Sequence, residues 1–336
     1  MDLLNAFVAL SNFVLIPAIV YGSQLALGAL GVTMIYGILR FSNFAHGDTM
    51  AFGAMVTMLF TWWFQSMGLS LGPLPTALIA LPFGILGCIA LLLLTDRTVY
   101  RFYRAQKAKP VILVIVSMGV MFIMNGLVRF IVGPQDQKFT DGERFIISVR
   151  EFKALTGLKE GLAFKTTQGI TVITAVVVVA ALFWFLNRTR TGKSMRAYSD
   201  NEDLALLSGI NPERVVLITW MIVAGLATIA GTLYGLDKSF KPFVYFMLLL
   251  PIFASAIVGG LGNPLGAIAG GFVIAFSEVI ITYAWKKVLG HALPDTMAPD
   301  ELAQLLSTDY KFAVSFCILL IVLLFKPTGL FKGQSV

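Results

Sequence analysis

Charge is what this sequence has least of. Only 13% of its 336 residues are Asp, Glu, Lys or Arg, against roughly 25% in an average soluble domain. With 57% hydrophobic residues and a mean hydropathy of +0.84, that deficit excludes a soluble globular protein. Histidine and cysteine are equally scarce, two of each: His46, His291, Cys88 and Cys317. No Cys/His/carboxylate cluster has metal-site spacing, and no Ser-centred nucleophile elbow occurs, so neither hydrolase nor oxidoreductase chemistry has a candidate set. Both cysteines lie in apolar runs and read as buried packing residues. The N-terminus lacks the basic region and small-residue cleavage site of a signal peptide, so the first apolar run is expected to stay in the mature chain. No linker, low-complexity tract or second domain interrupts residues 1–336, which read as one transmembrane domain.

What the sequence does have is long apolar runs. A bilayer span needs about 20 mainly apolar residues. Nine segments qualify, at about 17–39, 44–65, 74–95, 110–132, 168–187, 213–236, 243–260, 264–285 and 311–326. Residues 3–15 add an apolar stretch before Pro17, either a short interfacial helix or the start of the first span. Backbone groups in hydrocarbon need partners within their own segment, so the spans are helices. The fold class is all-α: a polytopic helical membrane protein of about nine segments, some broken by glycine.

The connections give direction. The net charge is +7, and the basic residues crowd beside spans, without the aromatic interleaving that would suggest nucleic acid. Loop 96–109 holds five Lys/Arg in 14 residues, and 188–214 holds Arg188, Arg190, Lys193, Arg196 and Arg214. Lys326 and Lys332 follow the last span. Loop 133–167 is nearly balanced and loop 286–310 is net acidic. Placing the dense basic loops in the cytoplasm puts the N-terminus outside, the C-terminus inside, and loops 133–167 and 286–310 outside. Trp62, Trp63 and Trp285 fit interfacial anchors.

Several polar features stand out against this background. NFAHGD, residues 43–48, separates two hydrophobic runs. Ionisable groups at membrane depth cost a few kcal/mol each, so Asn43, His46, Gly47 and Asp48 form either a helix break lining a polar pathway or a turn in which Asn43 or Asp48 caps the next helix. A second Asn- and Gly-rich turn, with Gly260, Gly262 and Asn263, echoes the first, as paired interruptions do in repeat-built transporters. Close helix packing explains its glycines equally well. Glu278 is the only acidic residue deep in the later spans. It is either paired with another helix or part of the pathway, pairing being the simpler reading. Arg129 lies where it can snorkel to the interface.

The GKS of residues 192–194 is not a phosphate loop, because the glycine that motif requires five residues before Gly192 is Asn187 here. The stretch that follows is more informative. Asp200 or Asn201 can cap a short helix with Glu202 and Asp203 in its first turn. Leu204, Leu207 and Ala205 give it an apolar face, Gly209 stops it, and Pro212 opens the next span. Such a helix either docks in a partner's groove or is a plain amphipathic connector.

In order along the chain, GVTMIYGILRFSNFAHGD, the DRTVYR loop, RTRTGKSMRAYSDNEDLALLSGIN, AGLATIAGTLYG, SAIVGGLGNPLGAIAGGFVIAFSEV and LLFKPTGLFKG resemble the permease subunits of branched-chain amino acid ABC importers, the LivH-like branch of the LivH/LivM family. The resemblance covers most of the chain. It implies a bacterial inner-membrane subunit paired with a second, LivM-like permease, two cytoplasmic ATPases that hold ATP and Mg, and a periplasmic substrate-binding protein, with lipid around the spans. This chain would bind no cofactor itself. Residues 199–209 would be the coupling helix, with Asp200, Glu202, Leu204, Ala205, Leu207 and Gly209 its contact residues. Asn43, His46, Gly47, Asp48, Gly260, Gly262, Asn263 and Glu278 would be pathway or gate positions. Loop 286–310 is longer than the family pattern and reads as solvated. Members of the wider family carry urea, short amides and other amino acids, so a urea or amide importer stays open. An ion-coupled secondary transporter is the alternative from another class, and the scarcity of intramembrane carboxylates counts against it.

Overall fold

The structure, a computed structural model, describes residues 2–292, 301 and 303–331. Lys332, and residues 293–300 and 302 of the acidic loop, lie outside the described residues. The chain is a helical bundle. α1 (Asp2–Leu10) runs through a π-helical turn into α2 (Ile16–Leu39). There follow α3 (His46–Ser66), α4 (Ala77–Thr95), the short α5 (Arg101–Ala105), α6 (Pro110–Val132), α7 (Val149–Thr156), α8 (Thr166–Arg188), α9 (Arg190–Asp200), α10 (Glu202–Leu207), α11 (Pro212–Lys238), α12 (Pro242–Gly259), α13 (Pro264–Thr282), α14 (Lys286–Ala292) and α15 (Lys311–Phe325). The only sheet among the described residues is a two-stranded antiparallel pair, β1 (Phe145–Ile147) with β2 (Phe164–Lys165). Residues 3–15 are therefore not a separate interfacial helix but extend the first span.

Among the described residues, eight helical stretches are long and apolar enough to cross a membrane. α3 has the length, 21 residues, but its HGDT start makes it less apolar. Together they correspond to the nine segments read from the sequence. Proline in the first turn opens α2, α6, α11, α12 and α13, where its fixed φ suits the helix and its missing N–H is not needed.

Burial sorts the helices into layers. α2 is buried on every face from Val20 to Ile35, as expected of a helix surrounded by others. It packs against α13, α11, α12 and α8, while α3 packs against α4, α11 and α6. α6, α8 and α15 expose large apolar side chains such as Phe122, Ile123, Trp184 and Leu324, a surface that suits lipid. Cys88 is buried, but Cys317 on α15 is exposed, which corrects the expectation that both are packing residues. Apolar sequence marks a span in lipid without saying which of its faces meets protein.

The two ends of the bundle differ. One carries the turn 40–45, the basic loop 96–109, α9–α10 and the turn 260–263; it is called the basic end below. The opposite end is tied together by Asp141 accepting from Thr76 N and Oγ1 at 2.7 and 2.5 Å, and by a reciprocal Gln137–Phe240 bridge. Loop 286–310 is not simply solvated. Its first part forms α14, whose Val288 packs with Ala6 and Ala9 of α1, and whose Lys287 and His291 meet Glu160 at 2.8 and 3.2 Å.

Candidate functional site

The NFAHGD stretch lies at the basic end. α2 stops at Arg40, which adopts φ 57°, and its guanidinium donates to the carbonyl of Ser199 in α9. Asn43 Oδ1 accepts from Ala45 N at 3.1 Å and from the Tyr100 hydroxyl at 3.2 Å. Tyr100 stacks on Trp220 of α11, with centroids 5.2 Å apart. Trp220 Nε1 donates to Asp96 at 2.7 Å, and Asp96 pairs with Arg104 at 2.5 Å. Tyr100 and Asp96 thus join the basic loop to α11, and the buried Asn43 joins Tyr100 to the turn.

The first turn of α3 then faces three neighbours. His46 is fully buried with its ring against Gly31 of α2. Neither ring nitrogen meets a partner in good hydrogen-bond geometry; the Gly28 backbone is its polar neighbour. A Cβ on Gly47 would lie 2.5 Å from the Tyr245 carbonyl oxygen of α12. Asp48 Oδ1 accepts from Asn125 Nδ2 of α6 at 2.7 Å, and its Oδ2 is buried without a hydrogen bond. The break is a turn at one end of the bundle, with Asn43 making the turn bond, but the N-cap of α3 is Ala45 and no side chain caps it, which corrects the expectation that Asn43 or Asp48 does so. Its polar side chains are nevertheless buried, as a pathway reading needs.

The second turn has the same local device. Asn263 Oδ1 accepts from Leu265 N at 3.1 Å and Gly266 N at 3.2 Å, and its Nδ2 donates to the Phe331 carbonyl at 2.9 Å. Gly260 and Gly262 hold φ 110° and 83°, a region closed to most side chains. The KPTGLF stretch folds back here, with Leu330 N bonded to Val258 O. A cavity of about 480 Å³ between α2, α8 and α9 is lined by Gly262, Asn263, Asp200, Arg196 and Asn187. The second turn and the α9–α10 junction therefore meet in one space.

Glu278 is not part of that constellation. It lies 15 residues beyond Asn263 (278 − 263) on the same helix, roughly 22 Å at 1.5 Å per residue. Its side chain is fully buried, accepts from the Ser315 hydroxyl and lies 3.5 Å from Lys311 Nζ. The pairing reading finds its partners on α15 and in Tyr21 of α2. Arg129 lies over the Phe243 ring at 5.5 Å.

In the 199–209 segment Asn201, not Asp200, is the cap, accepting from Leu204 N at 3.0 Å. Asp200 ends α9, Glu202 accepts from the Tyr198 hydroxyl at 2.6 Å, and Gly209 closes α10 at φ 78°. Ala205 is buried, so it does not share the outward face. Leu204, Leu206 and Leu207 are 60, 43 and 85% exposed. GKS lies inside α9. Sequence reading missed Tyr100, Asn125, Lys311 and Ser315, which acquire their places only by contact; Arg40 was visible in the sequence only as a charge just before the turn.

The long apolar helices make this a multi-pass membrane protein, and the comparisons with known proteins give the family. Residues 14–323 match the family described as branched-chain amino acid transport system / permease component, and the chain belongs to it. Among its relatives is the high-affinity branched-chain amino acid transport system permease protein LivH of Salmonella typhimurium, 29% identical over 94% of this chain and 93% of the relative. The corresponding protein BraD of Pseudomonas aeruginosa is 27% identical over 96% of each. A probable LivH of Methanocaldococcus jannaschii is 29% identical over 83% of this chain and 84% of the relative. Among solved structures, PsaBC from Streptococcus pneumoniae has a TM-score of 0.46 at 13% identity, covering 98% of this chain and 93% of that one.

Proposed function

We propose that this chain is a permease subunit of an ABC importer that carries branched-chain or related apolar amino acids across the bacterial cytoplasmic membrane. The observation that carries the reading is a family match running through nearly the whole chain, to relatives whose names specify that transport. The partners are a LivM-like permease, two ATPases that hold ATP and Mg, and a periplasmic binding protein. The density of arginine and lysine at the basic end supports its placement in the cytoplasm, with the N-terminus outside.

Mechanically, the exposed Leu204–Leu207 face of α10 is the docking point for an ATPase groove. A displacement of α10 reaches α9, which precedes it directly. Arg40 links the Ser199 carbonyl of α9 to the end of α2, and the turn through Asn43 passes the movement to His46, Gly47 and Asp48, seated against α2, α12 and α6. Gly260, Gly262 and Asn263 receive it through the cavity shared with Asp200. Nucleotide state then biases inward- and outward-open arrangements through differential affinity for them, and Glu278 sits at the far gate.

The test is gentle solubilisation from native membrane, mass spectrometry of co-purifying proteins, and uptake in proteoliposomes. Recovery of a second permease and ATPases, with ATP-dependent leucine uptake, is expected. A chain that transports alone down an ion gradient would overturn the reading.

A further inference from the structure

The cavity of about 480 Å³ at the basic end, between α2, α8, α9 and the start of α13, has walls of two kinds. Its volume is within the roughly 300–1,000 Å³ of small-molecule sites. The floor is apolar: Ile38, Leu186 and Met195 are buried, and Phe183 is half-buried beside them. The rim is exposed, with Arg196 and Asp200 of α9 and Leu265 of α13. α8 fixes the depth. The cavity meets that span at Phe183, Leu186 and Asn187, in its last turns, where the apolar run gives way to Arg188 and hydrocarbon to lipid head groups. Trp184, 64% exposed in the same stretch, is the aromatic expected at that level.

Arg196 and Asp200 are four residues apart on α9, so their side chains leave the helix as neighbours. Both line the cavity and both are exposed, yet among the described residues neither forms an ion pair. A cation and a carboxylate that are open to one space and not joined to each other place two demands on a ligand. A simple anion would meet Arg196 but face Asp200, and a simple cation would do the reverse. The apolar floor adds a third demand, hydrocarbon attached to the charged part. At the level where a span ends, the molecules that carry all three are the lipids themselves.

We propose that this cavity binds a phospholipid whose head group carries both a phosphate and a primary ammonium. The phosphate accepts from the Arg196 guanidinium, whose paired N–H groups match phosphate oxygens. The ammonium, with three N–H donors, donates to the Asp200 carboxylate. An acyl chain lies over Phe183, Leu186 and Ile38. Bound there, the lipid joins α9 to the turn at Gly262 and Asn263, which line the same cavity. The inference needs only a bundle that spans a membrane; it goes beyond the reading as an amino-acid permease and does not rest on it.

The experiment is native mass spectrometry of the full chain with its co-purified partners, delipidated in mild detergent and titrated with phosphatidylethanolamine, phosphatidylcholine or phosphatidylglycerol of identical acyl chains. Phosphatidylethanolamine is expected to bind about tenfold more tightly than phosphatidylcholine, which has the same charges but no ammonium N–H, and than phosphatidylglycerol, which has no ammonium. Arg196→Gln and Asp200→Asn each weaken its binding by about tenfold. Lys193→Gln removes a charge from the same helix outside the cavity and leaves binding within about twofold. Glycerophosphoethanolamine, the head without acyl chains, does not displace the lipid at equal concentration. Equal size-exclusion profiles of the variants separate loss of binding from loss of fold. Equal binding of phosphatidylethanolamine and phosphatidylcholine, tighter binding of phosphatidylglycerol, indifference to the Arg196 and Asp200 variants, an equal loss in Lys193→Gln, or displacement by the bare head overturns the proposal. ATP-driven leucine uptake that persists alongside any of those results leaves the permease reading standing while this site falls. If no ATPase co-purifies, the same titration of the chain alone decides the matter.

Discussion

Glu278 and Lys311 show how much one missing partner costs in this bundle. Breaking a buried ion pair from one side leaves an uncompensated charge, whereas removing both charges is close to neutral. Lys311→Met is therefore expected to destabilise the protein by about 3–5 kcal/mol, and the Glu278→Gln/Lys311→Met double variant to recover most of that, read as thermal midpoints of the purified protein. Recovery absent from the double variant would show that Lys311 acts through something other than this pair. Gly47 is a steric counterpart. Its missing Cβ makes room for the Tyr245 carbonyl, so Gly47→Ala should cost about 1–3 kcal/mol by overpacking, whereas the same change at Gly126, with open space around it, should leave stability unaffected in the same assay. The residues proposed for the pathway thus have structural duties that any transport assay must separate from function, and variants should be compared only where assembly is intact.

Among the elements, α10 has the clearest division of labour. Ala205 anchors it and the three leucines point away from the protein. Leu204→Asp/Leu207→Asp should leave stability within about 0.5 kcal/mol per site, as surface changes do, while ATPase co-purification is lost. Retained ATPase would move the docking surface elsewhere. Arg40 tests the next link. Arg40→Gln removes the donor to Ser199 without touching α10, so ATPases should stay bound and hydrolyse ATP while leucine uptake falls several-fold; uptake that stays proportional to hydrolysis would sink the proposed transmission route. The beginnings and ends of these elements were legible in advance. Asn201, Gly209 and Pro212 act through bonds and torsions within four residues of themselves. Asp200 was the competing cap, and sequence gives no means of choosing between adjacent Asp and Asn when both can reach the same N–H.

For the whole molecule, the opposite end is held by Glu160, which joins the 133–165 loop to α14 and through it to α1. Partial burial raises the Glu160 pKa, but hydrogen bonds and charge from Lys287 and His291 outweigh it, leaving the group below its usual 4.5. Because the folded value lies below the unfolded one, the contribution is complete above pH 4.5 and is lost as pH falls through the folded value. Hydrogen exchange of residues 286–292, corrected for intrinsic rates, should therefore show constant protection from neutral pH down to about 5 and a decline only below the usual glutamate range. In Glu160→Gln the decline should disappear and protection be lower throughout. Raised salt should weaken the exposed Lys287 half of the contact, since screening acts on charges open to solvent.

Membrane class, the positions of the nine segments and the turns between them were determined by the sequence alone, because hydropathy, proline starts and Asx turns are properties of one short stretch. Local chemistry also marked NFAHGD and Glu278 as anomalies. Only the tertiary structure decided what they touch. Arg40 meets Ser199, Tyr100 meets Asn43, and Glu278 meets Lys311 across large separations along the chain. Helices apolar on every side carry no periodic mark of their inward face, so their rotation, and with it every partner across the bundle, is set by packing. The same reason left Cys317 misjudged and the cavity beside Arg196 unseen: both depend on which side of a helix meets another, and a run of uniformly apolar residues is silent on that.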